Sequence, residues 1–498
     1  MSRSLLLSLA AWSLGLWGFF IPLWNLGASL CLLLLVIILI IFYVKEREFP
    51  LPKNSLSISF LCFFLAASFV LFLHFQTADL SEFKTLLPFF IGPLFFSNFS
   101  HFSISHKKLI WALLLIGTTI SLSSSIVYAI LHYPLQNPRD ASLFISHIRL
   151  SLLASTLIFF LLEQSYFSKK LAIPLLILFT TFLVLTATIS GFVFLIISGI
   201  AWSYFKYKKT ILIGIFLLIA LPLFFFAFLN ESTPLPSCSS NQSRGGETYI
   251  TNSNYSLSEN GFLTYSCIAP EELNRSWKNV SGLDLNSKDS KNQIIQHTLI
   301  RYLTSLGLPK DSVGVHSLTI NDINNIRAGV TNFEELQWSP LKKRCQQIKF
   351  EYQNYLAGGS SAGHSVFQRV IIAGIGCDIV SKNFLWGVGP TQSKELFFRA
   401  LESNNINPIY SPNKPHNQFL SFWINYGLLG IVAFLVLLFL LFKHAKNTYL
   451  KQSSFVFLVS FFCSCLSEDT LNTQQGVGVT TFLLIMFFFI ETNYPSTL

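Results

Sequence analysis

The chain has 498 residues, 52% hydrophobic and only 12% charged, with a mean hydropathy of +0.53, which is too apolar for a soluble protein of this length. A net charge of +10 would suit a nucleic-acid binder only if it were gathered on a polar surface. The polar segment 230–414 instead holds 17 Lys+Arg against 15 Asp+Glu, and the excess lies in short loops between apolar stretches, where basic residues set membrane topology.

Apolar stretches run at 4–22, 26–44, 55–75, 84–99, 109–132, 147–163, 171–187, 189–205 and 210–229, then at 416–442, 453–467 and 475–491. Each is close to the roughly 20 residues that a spanning helix needs, and a very tight turn joins the seventh to the eighth. The pattern predicts an all-α membrane protein of about twelve transmembrane helices. Basic residues test the count, because they should stay on the cytoplasmic side and so recur at every second connection. Arg3 precedes the first stretch; Lys45, Arg47 and Lys53 follow the second; Lys107 and Lys108 follow the fourth. Lys169 and Lys170 follow the sixth, Lys206, Lys208 and Lys209 the eighth, and Lys443, Lys446 and Lys451 the tenth. The alternation predicts both termini in the cytoplasm and the segment between stretches nine and ten on the opposite, periplasmic side. The expected organisation is therefore helices one to nine over 1–229, a periplasmic segment over 230–414, and helices ten to twelve over 415–498. Arg3 also gives the first stretch the basic start of a signal peptide, which is the weaker alternative because no convincing small-x-small cleavage site follows.

The periplasmic segment should be mostly helical. Between Ser287 and Leu306 the residues Ile294, Ile295, Leu299, Ile300 and Leu303 share one helical face, and Gly307 with Pro309 stops the run. Leu318 to Ala328 repeats the pattern through Ile320, Ile323 and Ile326. Of eight cysteines, Cys31, Cys62, Cys463 and Cys465 fall in apolar stretches, whereas Cys238, Cys267, Cys345 and Cys377 face an oxidising compartment. Four cysteines allow three pairings, and proximity favours Cys238 with Cys267. No CxxC, HExxH or Cys/His ligand spacing points to a metal.

Ionisable groups at membrane level are costly and are functional candidates by default. Lys84, Arg149, Arg369, His416, Glu468 and Asp469 all map to the periplasmic ends of spans or to the membrane-proximal part of the exported segment. In Lys414-Pro415-His416-Asn417-Gln418 the proline can open a helix, which puts His416 in its first turn, where the helix dipole favours a neutral imidazole able to accept a proton from a hydroxyl. An interfacial histidine tied to a headgroup or a backbone carbonyl is the alternative. Arg369 lies in Ser365 to Ile379, an apolar-rich run that reads as a helix on the membrane surface. Its fork of donors suits a diphosphate, although an arginine there can also simply snorkel to lipid phosphates. Arg149 and Lys84 admit the same two readings. Glu468 and Asp469 can cap a helix, hold an arginine or bind an acceptor. Gly387-Val388-Gly389-Pro390 is a turn without phosphate-loop spacing. Nucleotide triphosphates are absent from the periplasm, so a glycosyl transfer there requires a donor already activated on a lipid diphosphate.

The order of these features resembles the core of the O-antigen ligase and polymerase superfamily, in its subgroup with a long periplasmic region. The similarity is carried by Gln368-Arg369-Val370, Asn383-Phe384-Leu385-Trp386-Gly387-Val388-Gly389, His416-Asn417-Gln418-Phe419-Leu420 and Tyr426-Gly427-Leu428-Leu429-Gly430. Ser467-Glu468-Asp469-Thr470-Leu471-Asn472-Thr473-Gln474-Gln475-Gly476-Val477, Arg301 to Leu308 and His147 to Ser151 resemble that subgroup too. The resemblance covers the chain from the sixth apolar stretch to the end. It implies that His416 activates an acceptor hydroxyl and that Arg369 clamps a diphosphate; by their position, Arg149 and Lys84 are further candidates for diphosphate binding, and Asn417, Glu468, Gln474 and Arg344 are candidates for support. It further implies a glycan passing from undecaprenyl diphosphate to a lipid A-core sugar at the periplasmic face of the inner membrane, with inversion and without cofactor, metal, nucleotide or nucleic acid. Many members carry an Arg in the outer turn matching Leu185 to Gly191, where this chain has no cation; Arg149 or the Lys342 to Arg344 cluster is positioned to replace it. A polymerase and a protein O-oligosaccharyltransferase of the same superfamily remain alternatives. A polysaccharide transporter or flippase would call for internal repeats that the chain lacks.

Overall fold

Long runs of Leu, Ile and Phe without helix breakers become helices whose backbone groups pair internally, as an apolar solvent demands. The computed structural model describes residues 2–47, 52, 54–74, 81–97, 99, 101–132, 138–207, 235–238, 240–251, 257–356, 367–403 and 414–491. The protein is mostly helical and divides into two compact units, Met1–Phe216 with Arg369–Leu498, and Leu217–Gln368.

The first unit opens with eight helices: α1 (Arg3–Phe20), α2 (Asn25–Glu46), α3 (Ser55–Leu73), α4 (Ser81–Phe95), α5 (Ile104–Leu131), α6 (His147–Glu163), α7 (Ala172–Thr186) and α8 (Ile189–Tyr207). Six helices among the described residues are long and apolar enough to cross a membrane: α1, α2, α3, α5, α7 with its 3-10 lead-in from Lys169, and Gln418–Ala445. Four apolar helices are shorter, Phe83–Phe95, Ile189–Phe205, Lys451–Ser467 and Gln474–Ile490. The ninth expected stretch, 210–229, lies outside the described residues. Between α7 and α8 the chain reverses at Ala187, whose φ of 47° ends α7 in the left-handed region.

The second unit carries α9 (Pro270–Ser281), α10 (Ile295–Ser305), α11 (Ser312–His316), α12 (Ile320–Arg327) and α13 (Pro340–Leu356), with one short antiparallel pair, β1 (Ser258–Glu259) and β2 (Phe262–Leu263). Trp277, Leu273, Leu299, Leu303 and Ile326 form its core, and a disulfide joins Cys238 to Cys267. The helix expected over Ser287 to Leu306 is shorter than predicted, starting only at Ile295. The cause is Asp289, which accepts from the Lys291 and Gln293 amides and so stabilises a turn instead. Thr319 and Asp322 build a reciprocal cap that starts α12. Arg301 is engaged inside this unit, donating from Nε to Glu259 at 2.7 Å and stacking 3.7 Å over the Phe350 ring.

The chain returns to the first unit with α14 (Phe367–Lys382), α15 (Gly389–Ser403), α16 (Gln418–Ala445), α17 (Lys451–Ser467) and α18 (Gln474–Ile485). From Val479 through the π-helical turn Met486–Ile490, α18 and its extension are buried on every side, which makes this segment the axis of the bundle. The segment ends on the fully buried Glu491 carboxylate, which accepts from Tyr166 at 2.8 Å and Trp111 at 3.0 Å and pairs with Lys107 at 3.4 Å. Around the axis, α1 packs on α5 and α2, α3 on α16, α17 on α6 and α8, and α4 on α18.

Candidate functional site

The α17–α18 connection, Glu468 to Thr473, is a short polar turn between two apolar helices, and its side chains gather the site. Glu468 follows α17 as its C-cap, in extended conformation. One of its carboxylate oxygens accepts from Arg369 Nη2 on α14 and the other faces His416 Nδ1 at 3.3 Å. Next to it, Asp469 accepts the backbone N–H of His416 at 3.0 Å and the hydroxyl of Ser421. Two adjacent carboxylates thus hold the backbone and ring of one histidine.

Their electrostatics differ. Burial alone would raise the Glu468 pKa, but the hydrogen bond with His416 and the charges of Arg369, His416 and Arg149 bring it below the ordinary value, so it stays a carboxylate. Asp469 is shifted the other way: burial lifts its pKa more than Ser421, His416 and Lys414 lower it, and the Glu468 charge adds to the rise.

His416 does not sit in the first turn of α16, as the proline pattern predicts. Asn417 caps that helix, its Oδ1 accepting from the Phe419 and Leu420 amides at 3.0 and 3.1 Å. A side-chain cap outcompetes a proline start because it satisfies two otherwise orphaned N–H groups. His416 is left before the cap with φ of 50°, a conformation uncommon for a residue with a Cβ. The Asp469 bond holds it there, turning Nδ1 to Glu468, while Nε2 has no partner among the described residues. An imidazole donating from Nδ1 to a carboxylate presents Nε2 as a proton acceptor.

Of the remaining candidates, Arg149 and Asn417 reach this centre. The Nε of Arg149, near the start of α6, is buried without a hydrogen-bond partner among the described residues and stands 3.1 Å from where a Cβ on Gly476 would be, within electrostatic reach of Glu468 and Asp469. On the same helix Ser151 stands against Gly191, near the start of α8. Asn417 also donates to the Leu466 carbonyl at 3.1 Å, tying α16 to α17. Gln474 reaches Ser29 of α2 at 2.5 Å, and Gln475 donates to the Phe144 carbonyl at 3.1 Å. These two amides close one side of a groove of about 620 Å³ between α2, α4 and α18, lined by Leu32, Val36, Leu87, Ile91 and Phe95 among others and by exposed Lys84. Arg344 belongs to the second unit, where it pairs with Glu351 at 3.7 Å and Gln347 at 2.7 Å.

Gln418 and Ser421 escaped the sequence reading. Gln418 accepts from the Leu471 amide at 2.7 Å and donates to Asn472 at 3.2 Å, fixing the fold of the turn that carries both carboxylates. The available signal was periodicity, since the two residues fall one helical turn apart on the face of α16 that meets this turn.

The sequence profile of the O-antigen ligase family matches residues 312–435, and over that stretch the chain is similar to the O-antigen ligase superfamily. The match includes Arg369, the Gly387–Gly389 turn and His416. No curated protein matches the chain.

Proposed function

We infer that the chain is a glycosyltransferase that joins a glycan carried on undecaprenyl diphosphate to lipid A-core, acting at the periplasmic face of the inner membrane as an O-antigen ligase does. The observation that carries this reading is the convergence of His416 and Arg369 on the single carboxylate of Glu468. A base and a diphosphate-binding fork held on one anchor are what transfer from a lipid diphosphate requires. The family resemblance over the same residues supports it.

In this reaction an acceptor sugar hydroxyl lies against His416 Nε2. Its oxygen attacks the anomeric carbon of the donor as the bond from that carbon to the diphosphate oxygen breaks, and the hydroxyl proton passes to Nε2. The polyprenyl diphosphate leaves as an anion held by Arg369, with Arg149 adding charge from α6 and Lys84 from the groove. The apolar groove between α2, α4 and α18 takes the first isoprene units of the carrier, which places the diphosphate near its polar rim. Glu468 orients the base, Asp469 fixes its backbone, and Asn417 and Gln474 brace the helices that carry them.

Reconstitution with a defined undecaprenyl-diphosphate glycan and lipid A-core tests the reading. His416→Ala and Arg369→Ala should each abolish glycan attachment while the protein stays inserted and abundant. In cells, loss of the protein should leave carrier-linked polymer unattached to lipid A. Chains of a single repeat would instead indicate a polymerase, and unmodified protein targets a protein O-oligosaccharyltransferase; either result displaces the ligase.

A further inference from the structure

Glu468 is asked to do two things at once. It is a largely buried carboxylate, 13% exposed in its side chain, and one oxygen is taken by the Arg369 guanidinium while the other faces the imidazole of His416. Arg369 is the more accessible partner at 38%. Facing this carboxylate among the described residues are Arg369 from α14, Arg149 from α6, and His416 from the residues before α16. Asp469 beside it is turned to the His416 amide and Ser421, with Lys414 nearby.

We propose that Glu468 is a positioning residue that exchanges partners during the cycle: an incoming diphosphate draws Arg369 away, and the freed carboxylate then holds the imidazolium that His416 becomes. The proposal rests on the ligase-type reading above and deepens it by coupling departure of the diphosphate to the proton that His416 takes at the same site. A diphosphate offers several anionic oxygens to the guanidinium fork, where Glu468 offers one, so it wins the competition for Arg369. A buried carboxylate that loses its cation is costly unless another replaces it. The nearest group able to gain a charge is His416, by taking a proton on Nε2. Binding of the leaving diphosphate and the proton held by His416 therefore favour each other, and the linkage is reciprocal. Imidazolium beside a glycan-free polyprenyl diphosphate is the state that transfer leaves behind, so the exchange stabilises the products of the transfer step.

The test uses the full chain in nanodiscs and glycan-free undecaprenyl diphosphate as the probe. Titrations in buffers of different ionisation enthalpy at about pH 7 should show proton uptake on binding to the wild type. His416→Ala should bind the probe without uptake. Glu468→Gln should bind at least as tightly as the wild type, because Arg369 no longer has a competing anion, while kcat on the glycan-bearing donor falls on the order of 100-fold. Arg369→Ala should weaken binding on the order of 100-fold. A carboxylate that merely held the fold together would lower affinity and kcat in parallel, and that outcome overturns the exchange. So does binding to the wild type with no proton uptake, a measurement that needs no variant to fold. If the exchange fails in either way while Arg369→Ala still weakens binding, the transferase reading stands without it. If the wild type does not bind the probe at all, both readings fall.

Discussion

The Nε of Arg149 is buried with no hydrogen-bond partner among the described residues, although the charges of Glu468 and Asp469 reach the same guanidinium. A buried donor left unpaired costs about 1–3 kcal/mol, so its retention at this place suggests that a ligand acceptor completes it. Arg149→Met should lower kcat/KM for the lipid-diphosphate donor on the order of 100-fold, as loss of one preorganised donor does, with the protein still inserted. Arg149→Lys should recover only part of the loss, because an ammonium lacks the planar fork. A Met variant with unchanged kcat/KM removes Arg149 from the clamp. Residue identities of this sort could be read from the sequence, because a cation or an imidazole beside an apolar stretch is conspicuous. Their linkage could not: Glu468 lies 99 positions from Arg369 and 52 from His416, and only the packing of α14, α16 and α17 brings the three together.

At the scale of elements, the least legible feature is the break in α16. Its hydropathy reads as one continuous span, yet Gly427 has φ 62° and ψ −163°, and the helix steps sideways there. The turn between α14 and α15 fills the step: Leu428 donates to the Phe384 and Leu385 carbonyls at 3.1 and 3.0 Å, and Val388 donates to the Ile424 carbonyl at 2.8 Å. The interrupted ladder is thereby satisfied by neighbouring backbone, which is the condition for irregular chain inside an apolar solvent. Gly387 is pressed against Gly427 with φ of 66°, so neither position admits a side chain. The sequence presents both glycines, in Trp386-Gly387-Val388-Gly389 and Tyr426-Gly427-Leu428, but nothing in hydropathy says that they touch. Gly427→Ala would drive a Cβ into the carbonyl oxygen of Leu385 and the backbone of Trp386 and Gly387, while holding a left-handed conformation. It should cost about 3 kcal/mol or more, seen as a lowered thermal midpoint in detergent, and activity should fall because Arg369 rides on α14. Gly374→Ala on the same helix meets open space and should be neutral. Equal midpoints for the two variants would show that the step is not under packing constraint.

For the whole molecule, hydropathy and charge alternation anticipated helices at all the expected stretches that lie among the described residues, because length and apolarity are local properties. They could not say that α18 would be the buried axis, or that its extension would end on Glu491 with Lys107, Trp111 and Tyr166 around it, since burial depends on which neighbours assemble. Orientation is the molecular-scale claim on which the proposed chemistry depends: a lipid-diphosphate donor presented in the periplasm can meet His416 only if α14 and the residues before α16 open to that side. Native cysteines provide the test. Cys377 on α14 is exposed and Cys345 on α13 half-buried, with burial raising the Cys345 thiol pKa, so Cys377 should react first. Cys238 and Cys267 are consumed by their disulfide, Cys31, Cys463 and Cys465 pack within helices of the bundle, and Cys62, although exposed, lies in the middle of the apolar helix α3, out of reach of a reagent that cannot enter lipid. In cells with a permeabilised outer membrane and an intact inner one, a membrane-impermeant maleimide should label the wild type, and Cys377→Ser should lose most of that label. Labelling of Cys377 only after the inner membrane is opened would put Arg369, on the same helix, and with it the Glu468 cluster, on the cytoplasmic side, where the proposed donor is not displayed.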